Sequence, residues 1–166
     1  MLLSLPAIFK TSDMNNIRKV VKEDLASLKR VVDSSGLFPS DLLEGMMHDY
    51  FANESTTDIW LTREVDNKPH AIVYCAPERL TSGTYNLYLI AVHQDYQGKG
   101  LGMELMQYLE NYLRSRGERV LLVETSGLPA FELTRKFYDK CLYNREAVIR
   151  DFYKEGEDKV IFWKKL

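Results

Sequence analysis

One stretch of the chain constrains its fold more than any other. The strand-forming run YNLYLIAV (85–92) meets the loop HQDYQGKGLG (93–102), then an amphipathic segment, then a second apolar run, RVLLVETS (119–126). Leu101, Leu105, Leu109 and Leu113 recur every four residues, and Met106 and Tyr112 widen their stripe. That spacing predicts a helix with one buried face, ending near Arg114, Arg116 and Gly117. Two strands joined by one helix make a right-handed parallel crossover. Their nearly unbroken apolar content expects cover on both faces of the sheet.

The flanking sequence extends this unit on both sides. IRKVV (17–21), DIWLTREV, HAIVYCAPERL, REAVIRDFY and KVIFWKKL read as further strands, with turns at DNKP, TSGT and KEGED. KEDLASLKRVVDSSG reads as a helix packed through Leu25, Leu28, Val31 and Val32. PSDLLEGMMHDYFAN reads as a second helix, begun by Pro39, with Leu42, Leu43, Met46, Met47 and Tyr50 on its apolar side. PAFELTRKFYDKCLY reads as a short helix opened by Pro129. The expected class is α/β (α+β): a mixed central sheet in the order β-α-α-β-β-β-α-β-α-β-β. Residues 1–15 are expected to be an N-terminal extension and 16–166 a single domain.

Composition narrows the function classes. The 166 residues suit one domain, which at that size buries roughly two thirds of its unfolded surface. A net charge of −2 with acids and bases interleaved argues against a general nucleic-acid binder. No run approaches a membrane span, and MLLSLPAIFK lacks a basic segment and cleavage site, so the chain reads as cytoplasmic and not membrane-bound. Cys75 and Cys141 are far apart and expected to be buried reduced thiols. His48, His70 and His93 form no metal-ligand spacing, so no metal site is expected.

The glycine loop is the first candidate for chemistry. A strand-to-helix turn gathers unpaired N–H groups and the positive end of the helix dipole, which suits an anion such as pyrophosphate. A nucleotide P-loop needs Lys-Ser/Thr after its last glycine, but Met103 and Glu104 follow Gly102. The dinucleotide fingerprint GxGxxG needs a glycine where Met103 stands. QGKGLG, comprising Gln97, Gly98, Lys99, Gly100, Leu101 and Gly102, remains as an anion loop of the form Q/R-x-x-G-x-G/A, with an ordinary glycine-rich turn as the alternative.

LIAVHQDYQGKGLGMELMQYLENYLRSRG with its following strand, and TRKFYDKCLYNREAVIRDFY near the end, resemble the GNAT superfamily of acyl-CoA-dependent N-acyltransferases. The element order fits too, so the resemblance covers most of 16–166. It implies acetyl-CoA as cosubstrate, with the pyrophosphate on N–H groups between Gly98 and Met103. It implies that Ile90, Ala91 and Val92 hold the thioester and pantetheine arm through their main chain. It also implies a splayed sheet with helices on both faces, the strand at 85–92 diverging from that at 119–126 to leave a V-shaped gap. Members often carry an asparagine after the second of these strands; SGLPAF has none, so Ser126 or the main chain takes that contact.

Acyl transfer to an amine needs a base for the ammonium and benefits from an acid for the leaving thiolate. Tyr138 is the candidate acid. A core stripe of Ala130, Leu133 or Thr134, Phe137 and Cys141 leaves it about 100° from Phe137, facing the gap. The family's tyrosine falls in the matching segment KFYDKCLY; a boundary tyrosine with a solvated hydroxyl is the alternative. Glu124 is the candidate base, because a carboxylate ending VLLV implies that the strand opens into a polar cleft. The alternative is an edge carboxylate paired with a nearby Arg or Lys. Glu44, Asp49, Tyr50 and Tyr74 are candidates to greet a cationic acceptor. The expected activity is N-acetyl transfer to a primary amine of a small molecule or peptide by direct attack in a ternary complex, with a non-catalytic acyl-CoA sensor as the alternative. A homodimer is compatible with the sequence.

Overall fold

The computed structural model describes residues 16 to 166; the expected N-terminal extension lies outside them. The strands are β1 (Ile17–Lys19), β2 (Ile59–Val65), β3 (Lys68–Pro77), β4 (Thr84–Val92), β5 (Val120–Ser126), β6 (Asn144–Lys154) and β7 (Glu157–Lys165). The helices are α1 (Leu25–Ser35), α2 (Leu42–Ala52), α3 (Leu101–Ser115) and α4 (Glu132–Lys140). This is the element order expected. The strands form one seven-stranded sheet in the order β1-β2-β3-β4-β5-β7-β6. Its one parallel pair is β4 with β5, joined by α3.

Two apolar clusters cover opposite faces. On one, Leu101, Leu105, Met106, Leu109 and Leu113 of α3 and Tyr138 of α4 pack on Val73, Leu87, Val123 and Phe162. On the other, Leu28, Val31 and Val32 of α1 and Leu43 and Met47 of α2 pack on Trp60, Ile72 and Leu89. The second cluster stops at β4, so among the described residues no helix packs on the same face of β5 and β7. Leu42, expected in the apolar side of α2, is exposed, because the helix begins only at Leu42 and turns it outward. The three residues before it form a turn in which the Leu42 N–H donates to the Pro39 carbonyl.

A β-bulge in β4 decides where its side chains go. Cys75 pairs with Leu87 and Tyr74 with Leu89, which leaves Tyr88 as the extra residue. Tyr85 and Leu87 therefore face α3, whereas Leu89 and Ala91 face α1, and Ile90 and Val92 return to the α3 side. The parallel ladder to β5 ends at the same point. It runs from Thr84 opposite Val120 to Leu87 opposite Val123 and no further. Beyond it β4 continues to Val92 and β5 to Ser126, so the two edges diverge as a V.

A buried polar knot pins the closed side of the sheet to α3. Glu110, 4% exposed, accepts hydrogen bonds from the Tyr143 hydroxyl at 2.9 Å and from Lys164 Nζ, which also donates to the Cys141 carbonyl. Burial, and then the Glu110 charge, push the Tyr143 hydroxyl far above the ordinary tyrosine range. Glu110→Ala is expected to cost about 3 kcal/mol in urea unfolding, because Lys164 is left as an unpaired, largely buried charge. Tyr143→Phe, which leaves the ion pair whole, should cost only about 1 kcal/mol.

Candidate active site

The glycine loop forms as a backbone cradle. Gly98 and Gly100 have φ of 72° and 92°, which favour glycine, and Gly100 is the N-cap of α3. The first bond of the helix runs from the Glu104 N–H to the Gly100 carbonyl. The N–H groups of residues 98 to 103, ending at Leu101, Gly102 and Met103, find no main-chain acceptor among the described residues. A cluster of free donors at a helix start is what a phosphate group needs. Gln97 serves the loop itself: its side-chain amide donates to the Val92 carbonyl at 3.0 Å. Lys99 lies over the Tyr96 ring. Gly102 answers to packing, since a Cβ there would sit 3.3 Å from the Phe137 ring.

The V opens directly above the β4–β5 ladder. The His93 N–H donates to the His70 carbonyl, which fixes the alternation of the antiparallel β3–β4 pair. Ala91 and Leu89 then turn their main chain toward β3, while Ile90 and Val92 turn theirs toward the gap. Of the three strand residues expected to meet a ligand through the backbone, Ala91 is committed to the ladder. Val92 has given its carbonyl to Gln97, which leaves its N–H and both groups of Ile90 on the open edge.

Tyr138 and Glu124 lie on opposite faces of the sheet, on either side of this gap. Tyr138 is 2% exposed, with its ring against Phe137, Tyr143 and Phe162. It is Tyr138 that anchors α4, not Phe137, and Leu133 is exposed; the expected stripe is rotated because the helix buries Arg135 as well. Burial, with Cys141 beside it, holds the Tyr138 hydroxyl well above the ordinary tyrosine range. Cys75 and Cys141 are buried free thiols.

Glu124 projects from the uncovered face, since its neighbour Val123 is in the α3 cluster. Its Oε2 accepts from Lys159 Nζ at 2.9 Å and its Oε1 from Asn86 Nδ2 at 3.2 Å. Lys159 also lies 3.7 Å over the Phe152 ring. Asn86 donates to Glu78 Oε1 at 2.8 Å, and the Tyr88 hydroxyl reaches the same oxygen at 3.2 Å. Burial, then the Glu78 charge, push the Tyr88 hydroxyl up to about 12. The sequence reading missed Glu78, Asn86 and Tyr88; the signal was an amide inside the run YNLYLIAV.

Other expected residues do not join this group. Ser126 is 5% exposed and its Oγ accepts from the Leu128 N–H, so the hydroxyl closes the turn after β5. Glu44 pairs with Lys29, and Asp49 lies on the exposed side of α2 beside His48. The Tyr50 hydroxyl bonds the Val20 carbonyl. Tyr74 stacks on Trp60 at 4.0 Å and bonds Asp58, and its ring lies 5.5 Å from that of Tyr88.

The turn after β5 is held by Arg135, 7% exposed, whose guanidinium donates to the carbonyls of Ser126 and Leu128 and to Glu132. Arg135→Ala is expected to cost about 3 kcal/mol in thermal or urea unfolding, as charge-assisted bonds to two carbonyls are lost. Arg135→Lys should recover less than half of that, because an ammonium lacks the planar fork that reaches several acceptors together.

Comparison with known proteins shows the family and the fold. Residues 28–142 match the family model described as the acetyltransferase (GNAT) family. An uncharacterized N-acetyltransferase of Methanocaldococcus jannaschii is 25% identical over 154 residues, covering 90% of each chain. A crystal structure of a Desulfovibrio desulfuricans protein assigned to the GNAT family superposes with a TM-score of 0.85 at 30% identity, over 90% of this chain and 97% of that one. The structure of yncA from Salmonella typhimurium, solved with its cofactor acetyl-CoA, gives 0.71 at 17% identity over 90% and 92% of the two chains, a likeness of fold.

Proposed function

Because the chain belongs to the GNAT acetyltransferase family, we propose that it transfers an acetyl group from acetyl-CoA to a primary amine by direct attack in a ternary complex. The observation that carries this reading is the V between β4 and β5, with unpaired N–H groups at its end and a neutral acid and a carboxylate on its two sides. A structural neighbour solved with acetyl-CoA supports the choice of donor.

The residues divide the work as follows. The N–H groups of residues 98 to 103 hold the pyrophosphate, and the open edge of Ile90 and Val92 pairs with the pantetheine amides as a neighbouring strand does. The Ile90 N–H donates to the thioester oxygen as negative charge grows there. Glu124 removes a proton from the acceptor ammonium, and the free amine attacks the carbonyl carbon. The carbon–sulfur bond breaks, Tyr138 gives its proton to the leaving sulfur, and the surplus proton on the newly attached nitrogen restores the Tyr138 hydroxyl, while Glu124 releases its proton to solvent. Lys159 holds Glu124 against the opening. Phe152, Tyr153 and Tyr88, each about half exposed, present rings near the same opening for the acceptor.

Acetyl-CoA at 100 times its dissociation constant is expected to stabilise the protein by about 2.7 kcal/mol in a thermal melt. Gly100→Val should remove that shift, because a branched side chain at φ of 92° both strains the loop and fills the approach to its N–H groups. An unchanged shift would remove the loop from the binding site.

Turnover is measured by thiol release from acetyl-CoA with a panel of amines, the product being read by mass. Tyr138→Phe should lower kcat on the order of 100-fold while the acetyl-CoA thermal shift is retained. Glu124→Gln should do the same and erase the acidic limb of the pH profile. Thiol release equal to wild type in Tyr138→Phe would take Tyr138 out of the mechanism, and no release with any amine would favour a sensor.

A further inference from the structure

Asn86 is a polar amide in the interior of a strand, only 1% exposed, between Tyr85 and Leu87, which both pack in the α3 cluster. Its side chain lies on the opposite, uncovered face and is opposite Leu122 in the last rungs of the β4–β5 ladder. A buried amide in such a strand is costly unless its bonds matter. Asn86 Nδ2 sends its two protons to two different carboxylates, Glu78 at 2.8 Å and Glu124 at 3.2 Å. Ionised carboxylates only accept, so this orientation of the amide is the one the chemistry permits. It is kept although Oδ1 finds no donor among the described residues. The amide gives up a bond on its oxygen to hold both carboxylates.

We propose that Asn86 is the positioning residue of this acetyltransferase, a neutral clamp that fixes the Glu124 carboxylate at the mouth of the V and ties it to Glu78. The inference rests on the reading of Glu124 as the base. With Oε2 held by the charged Lys159 and Oε1 by a neutral amide, the two oxygens of Glu124 are not equivalent. Proton uptake on either oxygen discharges the carboxylate and weakens its ion pair with Lys159, but uptake on Oε1 leaves Oε2 free to keep accepting from Lys159 Nζ, and Oε1 is the oxygen that Asn86 orients. When Oε1 gains the ammonium's proton, an O–H bond forms, the N–H bond breaks, and the amine keeps the electron pair it uses on the thioester. Asn86 then retains Glu78 as acceptor, and Tyr88 bonds the same Glu78 oxygen, so the clamp stays anchored through the cycle. An uncharged donor suits this task because it orients a base without neutralising it, as a second lysine would.

The test needs two readouts. In protein carrying 13C at the glutamate side-chain carboxyl, the Glu124 and Glu78 resonances are assigned by their loss in Glu124→Gln and Glu78→Gln and followed against pH. Asn86→Ala should raise the Glu124 midpoint, since a donor to its ionised form is lost, and should weaken the response of each carboxylate to titration of the other. Asn86→Thr, which suits a strand and keeps one donor, should fall between the two. With acetyl-CoA and the amine that gives product in the panel, Asn86→Ala should lower kcat on the order of 10-fold with KM for acetyl-CoA within about twofold. In the Glu124→Gln background the same change should cost less than about twofold. An equal loss in both backgrounds, or a Glu124 midpoint that does not move, would overturn the proposal while leaving Glu124 as base. A Glu124→Gln protein with wild-type kcat and pH profile would overturn the base and the clamp together.

Discussion

The parting of β4 from β5 after Leu87 and Val123 is the constraint on which the site depends. Two parallel strands that stay paired consume their main-chain groups on each other. Here the pairing stops halfway, and a row of N–H and C=O groups on β4 is left without a strand partner. The bulge at Tyr88 enforces the parting by bending β4 at the rung where the ladder ends. The α3 helix keeps it open in register with the loop, because Gly102 lets the start of α3 lie against Phe137 and Val92. Backbone polarity that other folds hide is thereby made available to a ligand without exposing a long sheet edge.

The electrostatics follow from the same division. The α3 side of the gap is apolar and aromatic, and burial there pushes the Tyr138 hydroxyl well above the ordinary tyrosine range. On the other side no helix among the described residues lies over β5 and β7, and there the charged groups gather: Glu78, Glu124 and Lys159 around one amide. Tyr138 and Glu124 are thus separated by the thickness of a sheet, one on each side of the V.

Much of this was legible in the sequence. The α3 stripe, the two apolar strands beside it and the turn residues named the crossover, because period and composition agreed at every position. The glycine loop was legible since positive φ leaves glycine as its mark. Glu124 stood out as a charge at the end of an apolar run. What escaped was whatever depends on a bulge or on distant partners. Nothing in YNLYLIAV marks Tyr88 as an extra residue, so the turn of Ala91 toward β3 was invisible, as was the turn of Ile90 toward the gap. The bond that the Ser126 hydroxyl accepts from the Leu128 N–H was hidden too, because it is local and leaves no pattern. The burial of Arg135 was hidden for a related reason: its acceptors are carbonyls, which carry no sequence identity.

The bulge also makes β4 two half-strands written in opposite phase. Up to Leu87, odd-numbered side chains belong to the α3 layer; from Leu89 on, odd-numbered side chains belong to the α1 layer. Loss of the single residue at 88 would make Leu87 and Leu89 neighbours, and plain alternation would then keep each of them, and every position after, on the face it already holds. Loss of any other residue between Tyr85 and Val92 would exchange the faces of the positions on one side of it. Position 88 is thus the place in β4 where the count of residues can change without rewriting the two layers, at the cost of the bend alone.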